Sequence, residues 1–224
     1  MSKAGIRTDA LVDPLPHKDG KRKKRSDVEL PLRCFDVLMS ELKNEDPPKP
    51  NIDITERCGG LFVTWEKRVK RKRYELRGCI GSLSNIDVLH GIDTYTIQSA
   101  FRDSRFSPVE ISEVDRLKCK VSLLHTFEEC DDVYDWNPDR HGIVINFRVN
   151  CIGYSATYLP DVVTEQGWTK REAIDSLVRK SGYRSAVDEH FRSKINVTRY
   201  QSNKTAATYE EYCTARRHDA GACE

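Results

Sequence analysis

The spacing of apolar residues changes from one stretch of this chain to the next, and those changes mark out its elements. Leu32, Phe35, Leu38, Met39 and Leu42 recur at helical spacing behind Pro31, a residue suited to a first helical turn. Asn44 and the proline run from Pro47 to Pro50 stop that helix near Leu42. Gly60 to Trp65 is β-branched and aromatic and predicts a strand, and Tyr74 to Leu83 reads as an extended partner across a hairpin. Asn85 or Asp87 can cap a helix reaching about Phe101, with Leu89, Ile92, Thr96 and Ala100 on one side. Asp103 to Pro108 then forms a proline-bounded turn.

Period-two alternation predicts strands at Leu117–Leu124, His141–Val149 and Ile152–Leu159, the last two joined as a hairpin at Asn150-Cys151. Thr169-Lys-Arg-Glu172 is a capping box ahead of Ala173, Ile174, Leu177 and Val178. Arg179 and Lys180 suit the negative end of that helix, and Gly182 its closing turn. A last strand is expected at Ile195–Tyr200 and a short helix at 206–217. Strands group into hairpins without β-α-β alternation. The expected fold is therefore α+β, a mostly antiparallel sheet with flanking helices.

Length and charge sharpen this picture. A chain of 224 residues can bury roughly 70% of its unfolded surface and needs no disulfide or metal staple. No apolar run approaches the roughly 18 residues of a membrane span, and Met1 to Asp9 lacks the apolar core of a signal peptide, so a soluble cytosolic product is expected. Residues 1–28 are polar, aperiodic and expected to be disordered, 29–217 form one folded domain, and 218–224 a disordered C-terminus. The eight cysteines contain no Cys-x-x-Cys pair and no zinc-type Cys/His spacing, so no metal is expected; no cofactor is named by any motif. Residues 1–25 carry eight basic and three acidic side chains, which leaves the remainder net acidic. That body does not look like a general nucleic-acid surface. Within the tail, Lys21, Arg22, Lys23, Lys24 and Arg25 have the density of a nuclear import signal; a solvated tail without a reader explains them equally well. The partner that signal implies is an import receptor, and the location nucleus, cytoplasm or both. A second basic run, Lys67 to Arg73, is expected as a solvated hairpin tip.

Walker, Gly-x-Gly-x-x-Gly, His-Glu-x-x-His and Gly-x-Ser-x-Gly signatures are all missing. The candidate chemistry lies in Leu76-Arg-Gly-Cys-Ile-Gly81, where two glycines interrupt an extended stretch. Strict alternation puts Tyr74, Leu76 and Ile80 on one face and Arg77 with Cys79 on the other. Cys79 is then the candidate nucleophile, aided by Arg77 and by the amides of Gly78, Ile80 and Gly81; a small buried residue chosen for volume is the plainer reading. His141 is the candidate base, with parity that points it to the core beside Ile143 and Ile145. Asp103 and Arg105 can orient a ligand or simply pair after their helix.

Leu76-Arg-Gly-Cys-Ile-Gly81, with Ser99-Ala-Phe-Arg-Asp-Ser-Arg-Phe106, Val121–Leu124, Asp135-Trp136, His141-Gly-Ile143, Ala156–Pro160 and Thr198-Arg-Tyr200, resembles the AMMECR domain family from about Arg33 to Arg216. Ser82 and Leu83 stand where the family usually has threonine and an aromatic. The resemblance implies two unequal α+β lobes with a cleft near the motif, and a molecular function not yet established. Relatives fused to modifying enzymes imply work beside such a pathway, and animal members imply a nuclear setting. It implies Arg77, Gly78, Ile80, Gly81, Asp103 and Arg105 as ligand-binding residues, with Cys79 and His141 as catalytic ones. The partner would be a small molecule or a protein; a non-catalytic nuclear adaptor is the alternative.

Overall fold

The first apolar stripe becomes α1 (Lys24–Lys43), whose Leu30, Cys34, Phe35 and Leu38 are buried. This helix begins seven residues before Pro31, inside the stretch expected to be disordered. Proline lacks the N–H that would bond the Asp27 carbonyl, so it removes one rung of the helix without ending it. The computed structural model describes residues 24–50, 57–71 and 73–221, with side chains within those ranges from 29 to 217. Lys21, Arg22, Lys23 and the rest of the tail before Lys24 lie outside the described residues, as do 222–224; of Lys24 and Arg25 only the backbone is described.

Further along come β1 (Arg57–Cys58), β2 (Gly60–Lys70), β3 (Arg73–Ser82), β4 (Ile86–Asp87) and α2 (Val88–Phe101). A 3-10 turn (Ile111–Arg116) leads into β5 (Leu117–Glu129), and β6 (Gly142–Val149) and β7 (Ile152–Tyr158) follow. The remainder is α3 (Val162–Gln166), α4 (Lys170–Lys180), α5 (Glu189–Arg192), β8 (Asn196–Thr208) and α6 (Tyr209–Gly221). The fold is α+β, and every strand pair whose register is described is antiparallel. The final helix starts later than expected and runs past residue 217.

The chain divides into two compact units. A central one comprises Leu124–Ser202, and a terminal one comprises the described residues up to Leu123 with those from Asn203 onward. In the central unit β8, β6 and β7 are neighbours. Asn150 and Cys151 both take positive φ, as a two-residue hairpin turn between β6 and β7 requires. The capping box of α4 forms as its sequence predicts: Thr169 Oγ1 accepts from the Glu172 N–H, and the Glu172 carboxylate accepts from the Thr169 N–H. Behind it Ala173, Ile174, Leu177 and Val178 pack with Ile143 and Ile145.

In the terminal unit β3, β2 and β5 are neighbours, with β3 at the edge. Leu61, Val63 and Trp65 of β2 and Leu117, Cys119 and Val121 of β5 share a core with Phe35 and Leu38 of α1 and Ile92 of α2. Arg33 of α1 holds Asp93 of α2 through both carboxylate oxygens, at 2.8 and 2.7 Å. Asp36 does the same for Arg216 of α6. The basic run Lys67 to Arg73 is only partly a tip. Lys67, Arg68 and Lys70 lie on β2 and Arg73 on β3, because the ribbon stays paired out to Lys70 opposite Arg73.

Candidate functional site

The motif occupies β3, and its first peculiarity is a β-bulge. Trp65 pairs with Gly78 but Glu66 with Leu76, so Arg77 is the extra residue on its strand. Directly paired residues share a face. Leu76 and Cys79 therefore join Glu66 and Thr64 on one face, while Gly78 and Ile80 join Trp65 and Val63 on the core face. This corrects the alternation expected above, in which Ile80 sat with Leu76, and Arg77 with Cys79. One inserted residue is enough to shift the parity of everything beyond it.

Arg77 turns with the core-side residues, and each of its three guanidinium nitrogens meets a protein acceptor. Nε and Nη2 donate to the two Glu113 oxygens at 3.1 and 2.7 Å, Nη1 to the Ser107 carbonyl at 2.8 Å, and Nη2 also to the Pro108 carbonyl. Lys67 adds a second cation to Glu113 at 2.6 Å. These partners hold the Glu113 carboxyl at about 2, well below the usual range, against the burial that would raise it. Arg77 is thus an internal brace between β3, the turn after α2 and the 3-10 turn. To hold an anionic ligand, as expected from the sequence, it would have to share or give up these bonds.

The glycines serve close packing. A Cβ on Gly78 would lie 2.0 Å from the Ser99 carbonyl oxygen of α2, and one on Gly81 2.1 Å from the Leu61 carbonyl oxygen. With α2 set directly on the strand, the turn beyond its C-terminus brings Asp103 to the open edge of β3. Asp103 Oδ2 accepts the Cys79 N–H at 2.9 Å, and Arg105 Nη2 donates to the Cys79 carbonyl at 3.2 Å. The two side chains also bond each other, at 2.9 and 2.6 Å. Together they do for Cys79 what a neighbouring strand would do. Burial opposes ionisation of Asp103, but Arg105 and the two amides outweigh it and hold its carboxyl at about 2. The Phe106 ring has guanidinium groups 5.4 Å (Arg105) and 6.0 Å (Arg77) from its centroid.

The Cys79 thiol is half-buried and accepts a hydrogen bond from the Thr64 hydroxyl at 3.1 Å. Arg105, which donates to the Cys79 carbonyl, is a neighbouring cation whose side chain is 47% exposed. Sequence reasoning missed Thr64 and Glu113. Thr64 is legible only once the hairpin register is known, and Glu113 lies 36 residues from Arg77. His141 belongs to the central unit and sits just before β6, so strand parity does not reach it; it is partly exposed, unlike Ile143 and Ile145. Its Nδ1 accepts the Asn137 N–H at 3.0 Å, and burial together with Arg199 and Arg140 lowers its pKa. A cavity of about 590 Å³ in the same unit, lined by Cys130, Asp132, Tyr134, Glu189 and Asn196 among others, includes none of the candidates. Among the described residues no group of three or more His, Cys, Asp or Glu side chains could hold a metal ion, and no helix is long and apolar enough to cross a membrane.

The fold and the strand–helix clasp define an α+β protein whose two most distinctive motifs, Leu76–Gly81 and Ser99–Phe106, are each other's packing partners. The chain belongs to the AMMECR1 family, whose model matches residues 32–205. It is similar to an uncharacterised protein of Arabidopsis thaliana, 45% identical over 186 residues that span 82% of this chain and 86% of that one. An uncharacterised protein of Schizosaccharomyces pombe is 38% identical over 80% of this chain and 91% of its own length. The crystal structure of an uncharacterised protein of Pyrococcus horikoshii shares the fold, with a TM-score of 0.68 at 24% identity, covering 82% of this chain and 92% of that one.

Proposed function

We propose that this is a ligand-binding, enzyme-like domain with its site at Cys79, Thr64, Asp103 and Arg105. One observation carries the reading: a half-buried thiol accepts from a hydroxyl while its own main chain is clasped by an ion pair whose guanidinium stays half open. A hydroxyl donor and a neighbouring cation both favour the thiolate, the form that attacks electrophiles. Arg105 would also meet an anionic group on the ligand. Iodoacetamide labelling at neutral pH, read by peptide mass spectrometry, tests it with exposed Cys151 as internal reference. Cys79 is expected to react faster than Cys151, and R105A and T64V to slow it. A slower Cys79 that neither variant affects would remove the chemistry.

The second reading is a non-catalytic adaptor, favoured by the four internal hydrogen bonds of Arg77. It would work in the nucleus or cytoplasm, entering the nucleus through Lys21–Arg25. An unchanged cellular distribution after deletion of residues 18–25 would remove that import route. Native mass spectrometry of protein purified from cells separates the two readings, since only the first predicts a retained small molecule.

A further inference from the structure

We propose that the open edge of β3 from Arg73 to Leu76, with the cationic ribbon beside it, docks an extended acidic segment of a partner protein as an added strand. This surface does not use the thiol and would operate under either functional reading.

β3 has a strand neighbour, β2, on one side only. Its other side is closed at Cys79 by Asp103 and Arg105. Beyond the bulge that protection stops. Among the described residues no side chain or loop bonds the main chain of Arg73–Leu76 on the side away from β2. A free edge of this kind offers amide and carbonyl groups at the spacing of another extended chain.

The side chains around this edge specify the charge of the incoming strand. Arg68, Lys70, Arg71 and Arg73 are exposed, and among the described residues the first three have no carboxylate partner. Lys70 and Arg73 stand directly opposite each other, a like-charge pair that the exposed Glu75, 2.9 Å from Arg73, only partly offsets. The same cations oppose pairing with a second copy of this chain, so they select for a segment of opposite sign.

Two of the four exposed large hydrophobics among the described residues, Val69 (46%) and Leu76 (45%), lie on this ribbon. Leu76 stands where the free edge begins, next to the bulge. An acidic peptide with apolar residues at alternate positions matches both features. Nucleic acid matches less well, because a phosphate backbone would leave both the strand edge and the exposed Leu76 unused.

The test uses the full chain and three fluorescein-labelled probes in anisotropy titrations at low salt. One probe is a dodecapeptide of alternating glutamate and valine. Another has the same charge but with proline at every valine position, and the third is a dodecamer of deoxythymidine. The alternating peptide is expected to bind in the micromolar range and to protect the amides of Arg73–Leu76 from hydrogen exchange. R68E/K70E/R71E should weaken it at least about tenfold, and R68Q/K70Q/R71Q by less, with thermal unfolding confirming that both variants are folded. Equal affinity for the proline probe would overturn strand addition. Tighter binding of the deoxythymidine probe, or affinity unchanged by the charge reversal, would overturn the acidic partner.

Discussion

Replacing Glu113 with glutamine keeps the shape of the side chain and deletes its charge, which isolates the brace under the motif. In the native protein this carboxylate is 5% exposed and accepts from Arg77 twice, from Lys67, and from the Glu110 N–H at 3.1 Å. Its carboxyl sits at about 2 against an ordinary 4.5. At about 1.4 kcal/mol per pH unit, that difference contributes about 3 kcal/mol of stability at neutral pH. An independent route gives the same size: leaving a buried cation without its partner costs about 3–5 kcal/mol. The sign follows from the direction of the shift. A depressed carboxyl contributes fully above about pH 4.5, and the contribution disappears as pH falls towards about 2. Urea unfolding of both proteins across that range is the assay. E113Q should be less stable by about 3 kcal/mol at pH 7, with the gap closing as the wild type is acidified. A variant within about 1 kcal/mol of wild type at pH 7, or a gap that does not change with pH, would refute the brace.

Three further outcomes follow from the geometry. G78A drives a Cβ to 2.0 Å from a main-chain oxygen that cannot rotate away, so α2 must shift; its thermal midpoint should drop by more than that of G153A, where a Cβ meets nothing within 4 Å. T169A removes the hydroxyl half of the α4 capping box and should cost about 1 kcal/mol in urea unfolding, with T169S near wild type. R192M leaves Asp175, 38% exposed, without the guanidinium that holds both its oxygens at 2.8 Å, and should destabilise by about 1–2 kcal/mol; an unaffected midpoint would make that pair ornamental to the central unit.

The elements themselves were legible wherever the information is local. Thr169 and Glu172 cap α4, Asp87 caps α2 by accepting the His90 N–H, and Asn150-Cys151 turns β6 into β7, all within a few residues of sequence. The α+β class was legible too, from strands grouped without alternating helices. The composition of the candidate site was legible in part: the motif names Cys79, Asp103 and Arg105, and all three meet at one point of the strand edge.

Geometry at that point was decided only in three dimensions. A bulge is one residue of register; the strand glycines signal a bulge, a bend or a close approach without saying which or where, yet the bulge sends Arg77 to Glu113 and leaves Cys79 beside Thr64. Pro31 taken by itself predicts a helix start, because its local preference is for a first turn, whereas the buried stripe of α1 outweighs one missing hydrogen bond. Periodicity along the chain established which stretches are helix and strand, since those preferences act between near neighbours. Which side chains become braces and which stay open depends on contacts dozens of residues apart, and only the folded chain brings those together.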